Sequence, residues 1–242
     1  MNTEKNTVPL ERALSKLGVL SRNNTRRLID HKRVKVNGRV ITSHFFPVNI
    51  GTDVILVDDA PVEPADHVYI LTHKVKGQLP LFVNDKTRAT VFKELPPEIH
   101  HLVPAGRLDT NAEGLFIYTN DTKWARQVIE YEETGTEVYI VRGEGELSDD
   151  SLEEMKAGVV DMGDMLRFED VVFEKHSSKT LVMRITLRGA GRTKLIRRML
   201  SVFQFRIFQV LRVRLGGLEL GDLPRNEGRL LTPEEKNSVI SE

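Results

Sequence analysis

The chain opens with short blocks of alternating helical and strand periodicity. Leu10, Ala13, Leu14, Leu17 and Leu20 recur at three- and four-residue intervals after Pro9, which predicts a helix within 9–22 that Gly18 breaks. Ser21 is placed to cap a second helix, with Thr25, Leu28 and Ile29 on one side and Arg22, Arg26 and Arg27 on the other. The period then drops to two. Val34-Lys35-Val36-Asn37-Gly38-Arg39-Val40 reads as two short strands about an Asn-Gly turn, the strongest short-range hairpin signal. A further strand, Asp53 to Val57, ends at Asp58-Asp59, and Ala60-Pro61-Val62-Glu63-Pro64 is a stiff linker because its prolines suit neither a helix interior nor a central strand. Residues 8–60 therefore form a helix–helix–hairpin module. It is too small and too poor in convergent polar groups for catalysis, and reads as a binding module.

From 66 to 236 the runs are longer. Val68 to Lys74 is an apolar strand with a basic end, Gly77 and Pro80 mark a loop, and Val91 to Leu95 is a short element stopped by Pro96-Pro97. Leu115 to Tyr118 is a buried strand, Trp124 to Tyr131 a helix, Gly135 to Arg142 a strand and Leu152 to Gly158 a helix. Val171 to Phe173 and Leu181 to Leu187 are strands, Thr193 to Ser201 a basic helix, and Gln209 to Leu215 a strand with alternating Arg. Thr232 caps a last helix that carries Pro and acids in its first turn. Because strands and helices do not alternate strictly, the expected class is α+β. The small N-terminal module is followed by a domain with a mixed, largely antiparallel sheet flanked by helices.

With 242 residues, 40% hydrophobic and 29% charged, the chain has an ordinary globular composition. No apolar run is long enough to span a bilayer, and the polar N-terminus lacks the apolar core of a secretion signal, so a cytoplasmic protein without membrane contact is expected. The absence of cysteine excludes disulfides, a thiolate nucleophile and Cys-ligated metal. Formal net charge is zero, but it is segregated. Arg12 to Arg39 holds one acid, Asp30, and Arg184 to Arg214 holds none. Acids cluster between Glu130 and Glu154. Two basic segments could each face phosphate, or could be solvated helix faces that balance the acidic middle.

The stretch His101 to Asn120 carries the candidate chemistry. Gly106-Arg107-Leu108-Asp109 is a tight polar loop ahead of the buried strand, closed by Gly114. Glycines let the backbone bend and approach a partner closely, so Asp109 is placed to face a ligand. An Asp in such a loop also commonly caps a local turn. Asp109 with Glu113 as paired carboxylates for glycoside hydrolysis requires both to face one sugar, which a loop spacing of four does not specify. Asp109, Asn111 and Glu113 resemble the start of a calcium loop, but the required Gly and distal Glu are out of place. The seven His residues show no zinc spacing, adjacent His100 and His101 included. No metal site is expected.

Two resemblances narrow the reading. Leu17-Gly18-Val19-Leu20-Ser21-Arg22, Leu28-Ile29 and Val34-Lys35-Val36-Asn37-Gly38 resemble a small RNA-binding module shared by a small-subunit ribosomal protein and many RNA-modifying enzymes. Ala105-Gly106-Arg107-Leu108-Asp109, with Asn111, Gly114-Leu115 and Thr119-Asn120-Asp121, is similar to the signature of RNA pseudouridine synthases, in particular the branch that modifies ribosomal RNA. Gly191 to Met199 resembles that family's third motif, and Leu211 to Leu218 with Leu230-Leu231-Thr232 its C-terminal stretch.

The resemblance implies a cofactor-free isomerisation of uridine to pseudouridine in ribosomal RNA or pre-ribosomal particles, by a monomer. Asp109 matches the family's catalytic aspartate, Tyr139 its active-site tyrosine and Arg197 the cation partnering that aspartate. Arg107 is expected to hold phosphate or help splay the target nucleotide. Arg22, Arg26, Arg27 and Lys35 of the module, with Lys74, Arg192 and Lys194, are the expected RNA contacts. The chain departs from the family's pattern in several places: Val75 follows Lys74 where Pro is usual, Glu137 stands where Lys is common, and Leu195 where Gln is usual. Such departures leave two alternatives, a catalytically weakened ribosome-assembly factor of the same fold and a synthase acting on transfer RNA.

Overall fold

A computed structural model describes residues 7–17, 22–62, 66–78, 102–176, 180–189 and 191–241. The expected element at Val91 to Leu95, the Pro80 loop, Ser21 and His100-His101 lie outside them, as does the side chain of Arg22. The chain divides into two compact units, and of the described residues those up to His67, with Leu102, belong to the first and the rest to the second.

The first unit contains β1 (Thr7–Pro9), α1 (Leu10–Lys16), α2 (Arg22–Asp30), β2 (Val34–Val36), β3 (Arg39–Val40), β4 (Pro47–Asn49), β5 (Ile55–Val57) and β6 (Ala60–Pro61). Leu10, Ala13, Leu14, Leu28 and Ile29 meet Val34, Val36, Val48 and Ile55 in one core, so the apolar faces read from the sequence are the ones buried. Asn37 and Gly38 both have positive φ, 50° and 79°, as a tight two-residue hairpin turn demands. Asn37 also accepts a hydrogen bond from the Val54 amide at 2.9 Å, which ties the turn to the neighbouring strand. Ala60-Pro61 is not linker: it pairs with β5 as the edge of a four-stranded sheet, a place that tolerates Pro.

The second unit is built on a nine-stranded sheet. Its strands are β7 (Tyr69–Lys74), β8 (Val103–Ala105), β9 (Glu113–Thr119), β10 (Thr136–Glu144), β13 (Asp170–His176), β14 (Leu181–Arg188), β15 (Arg206–Leu215), β16 (Leu218–Glu219) and β17 (Gly228–Leu230). The order is β13-β14-β10-β15-β9-β7-β17, with β8 on β9 and β16 on β15. Every pairing is antiparallel except β9 with β15. At that parallel junction Gly114 lies opposite Arg212. Gly114 has φ 102°, and a Cβ there would sit 2.2 Å from the Arg212 carbonyl oxygen, so the two central strands meet here only through glycine.

Among the described residues the helices of this unit are α3 (Thr122–Glu132), α4 (Asp149–Ala157), α5 (Arg192–Val202) and α6 (Pro233–Ser238), and a separate hairpin pairs β11 (Val159–Asp161) with β12 (Asp164–Leu166). Asp121 caps α3 by accepting from the Lys123 and Trp124 amides. Trp124, Ala125 and Val128 then point into a core with Leu71, Leu115 and Ile117. Among the described residues no helix is long and apolar enough to cross a membrane.

Candidate active site

The loop 106–112 leaves β8 and enters β9 in the middle of the sheet, beside the N-terminus of α5. Gly106 has φ 100°, and a Cβ on it would meet the Glu132 carboxylate at 2.4 Å. That carboxylate accepts from the Arg107 amide at 2.8 Å. Lys74, at the end of β7, holds the other side of the loop. Its ammonium donates to the carbonyls of Asp109 (2.9 Å), Thr110 (3.2 Å) and Ala112 (2.7 Å). Burial lowers its pKa to about 8 even though Asp109 and Glu113 oppose the shift. Lys74, expected among the RNA contacts, is thus buried in the protein, 4% exposed, with its ammonium on loop carbonyls.

A pocket of about 520 Å³ opens in front of this loop, with Asp109, Leu108, Tyr139, Arg192 and Thr193 among its lining residues. Asp109 is exposed at its mouth. The Thr193 hydroxyl, in the first turn of α5, donates to Asp109 Oδ2. Arg197 lies one turn further along α5 and donates to the Asn111 carbonyl at 3.2 Å. The expected cation is therefore in the neighbourhood of Asp109 but grips the loop backbone, while a hydroxyl takes the carboxylate.

Beneath the pocket lies a buried ionic network. Glu137 and Tyr139 are two apart on β10 and so share a face. The Tyr139 hydroxyl donates to Glu137 Oε2, and Arg192 Nη1 reaches Glu137 Oε1 at 2.6 Å. Arg212 Nη1 lies 3.0 Å from Glu132 Oε1 and 3.2 Å from Glu137 Oε1. Arg192 Nη2 also donates to the carbonyls of Glu132 and Gly135. Two carboxylates and two guanidiniums sum to no net charge. The acidic Glu137, where the family commonly has Lys, is thus matched locally by cations. Burial, reinforced by Glu137, raises the Tyr139 pKa well above the usual phenol value. Burial would lower that of Arg212, but Glu137 and Glu132 outweigh it and hold the guanidinium above its usual value. Tyr139, 2% exposed, is among the residues that line the pocket, and its phenol stays protonated and engaged. Arg192, expected among the RNA contacts, is 6% exposed, with Nη1 on Glu137, Nη2 on two backbone carbonyls and Nε buried without a partner among the described residues.

The remaining expected contacts divide. Arg107 is exposed, with Glu133 3.9 Å from its guanidinium, and Lys194 is exposed on α5. In the first unit Arg26 forms a two-point pair with Glu11, joining α2 to α1, and Lys35 pairs with Asp59. Arg27 is exposed and makes no ion pair to a described residue.

Comparison with known proteins identifies the family. The S4 domain family matches residues 8–54. An uncharacterised RNA pseudouridine synthase of Aquifex aeolicus is 31% identical over 232 residues, spanning 94% of this chain and 92% of its own length. This chain belongs to the RNA pseudouridine synthases. The ribosomal large subunit pseudouridine synthase B of Bacillus subtilis is 29% identical, with 93% of each chain covered. The crystal structure of a pseudouridylate synthase has the same fold, with a TM-score of 0.58 at 20% identity and coverage of 96% of this chain and 99% of that one. For a pseudouridine synthase, the part of this site that sequence reasoning missed is the pairing around it. Thr193 as the partner of Asp109 had no local signal. Glu137 had one: its two-residue spacing from Tyr139 on a predicted strand places both on one face.

Proposed function

We propose that this chain isomerises a specific uridine of ribosomal RNA to pseudouridine, with Asp109 as the catalytic carboxylate. The observation that carries the reading is the place of Asp109: at the mouth of a pocket of about 520 Å³, on a loop held by Lys74, beside the buried ring of Tyr139. That volume accommodates a base extruded from its stack, the step by which enzymes reach a buried nucleobase. The N-glycosidic bond breaks, the freed uracil turns, and a carbon–carbon bond to the same sugar carbon replaces it, with the proton on that ring carbon moving to nitrogen. Atoms and charge balance without a co-reactant.

In this reading Tyr139 offers its ring face to the uracil, and Arg197 keeps the Asp109 loop in place and supplies positive charge as the base dries the site. Arg107 and Lys194 meet the backbone around the target. Residues 8–60 act as the RNA-binding module, with Arg27 free to meet phosphate, and 66–236 as the catalytic domain. The ribosomal assignment is supported by the relative from Bacillus subtilis, named for the large ribosomal subunit.

The test is pseudouridine mapping of total RNA from cells with and without the gene, complemented by wild type or Asp109→Asn. One ribosomal site should disappear and return only with wild type. A lost site in transfer RNA would move the substrate. No lost site, with RNA still bound by the purified protein, would replace catalysis by an assembly role.

A further inference from the structure

The contact to the Asp109 carboxylate comes from a residue that charge-based reasoning passes over. Thr193 is 7% exposed, and its β-branched side chain in a helix is confined to two χ1 rotamers. Its hydroxyl donates to Asp109 Oδ2. An ionised carboxylate only accepts, so the direction of this bond is fixed. The three neighbouring cations that could compete hold other atoms. Lys74 binds carbonyls of the loop, Arg197 binds the Asn111 carbonyl, and Arg192 binds Glu137. The nearby acids Glu132 and Glu137 are themselves engaged by Arg212 and Arg192. Backbone and side chain of the loop are therefore held by different groups: cations fix where the loop runs, and one hydroxyl fixes how its carboxylate is turned.

We propose that Thr193 is the positioning residue of Asp109: by occupying Oδ2 it turns Oδ1 toward the bound uridine. The inference rests on the reading of Asp109 as the catalytic carboxylate. A reacting oxygen must sit within a few tenths of an ångström of its productive position, and the group that sets its rotamer then controls turnover more than binding. Thr193 and Arg197 are four apart on α5 and share a face, so one helix carries the side-chain restraint of the loop and, through Arg197, one of its backbone restraints.

Thr193→Val keeps the shape and removes the donor, whereas Thr193→Ser keeps the donor and removes a methyl group. Both would be measured beside wild type and Asp109→Asn by steady-state turnover on the ribosomal RNA fragment identified by mapping, with RNA affinity and melting temperature recorded for each. Thr193→Val should lower kcat by about tenfold or more while KM and RNA affinity stay within about twofold. Thr193→Ser should recover most of the lost turnover. The proposal is overturned if Thr193→Val turns over within about twofold of wild type, or if Thr193→Ser is as slow as Thr193→Val, which would assign the effect to packing. Wild type without turnover, or Asp109→Asn with it, would instead overturn the reading of Asp109 on which the proposal stands.

Discussion

Replacing Glu137 tests whether the ionic network beneath the pocket is as tightly balanced as its geometry implies. The Glu137 carboxylate takes Arg192 at 2.6 Å, Arg212 at 3.2 Å and the Tyr139 hydroxyl, and its side chain is 2% exposed. Glu137→Ala leaves Glu132 as the one carboxylate of the network beside two buried guanidiniums. Removing one partner of a buried pair costs about 3–5 kcal/mol because the other charge stays desolvated. Against a total stability of about 5–15 kcal/mol, that is a large fraction. At about 2–4 °C per kcal/mol for a chain of this size, the melting temperature should fall by roughly 10 °C. Glu137→Gln, which keeps the shape and some hydrogen bonding, should cost less, about 1–3 kcal/mol. Glu137→Lys, although it restores the residue common in the family, adds a third cation and should cost most. The assay is urea denaturation followed by Trp124 fluorescence. Trp124 is the chain's single tryptophan, buried in the second unit, so the signal reports the unit that contains the network. A loss below about 1 kcal/mol for Ala, or a Lys variant more stable than the Gln variant, would refute the account.

Two further predictions concern Lys74 and the first unit. Burial holds the Lys74 pKa at about 8, below its ordinary value of 10.5, so between those values the unfolded chain binds more protons than the folded one. Stability contributed through Lys74 must then rise with pH, and the difference between wild type and Lys74→Met in urea denaturation should shift toward wild type between pH 7 and pH 11, by about 1–2 kcal/mol once solvent screening is allowed for; a flat or falling difference would contradict the burial argument. In the first unit, Arg27→Ala should weaken RNA binding and reduce the salt dependence by about one phosphate contact. Arg26→Ala, whose guanidinium is committed to Glu11, should change the salt dependence less than Arg27→Ala does.

The elements were legible where a single period ran long enough. Leu10 to Leu17, the Asn37-Gly38 turn and the Leu115 to Tyr118 strand all follow from local pattern and turn chemistry. The hairpin of Val159–Asp161 and Asp164–Leu166 was missed because Val160, Met162 and Met165 are exposed, so its apolar residues do not mark a buried face. Charge was the least transferable signal. The basic segments look segregated along the chain, yet folding brings acids to them from elsewhere: Glu11 to Arg26, Asp58 to Arg33, Asp59 to Lys35, and Asp161 with Asp164 to Arg198. A basic run in sequence therefore overstates the basic surface in space.

The same reasoning applies to Lys74, Arg192 and Arg197, whose partners in the fold a sequence does not give. Each was read as a cation that faces RNA or a carboxylate, because sequence supplies a charge but not its partner. In the fold Lys74 and Arg197 close on backbone carbonyls of the Asp109 loop, and Arg192 closes on Glu137 and two carbonyls. Carbonyl oxygens leave no trace in a sequence, since every residue has one. What these cations accomplish is to let a loop bracketed by two positive-φ glycines, Gly106 at its start and Gly114 just inside β9, keep one conformation beside an open pocket. The exposed carboxylate of Asp109 can then be held by an uncharged hydroxyl, which fixes its direction without the strong neutralising pair that would compete with an incoming uridine for the same oxygens.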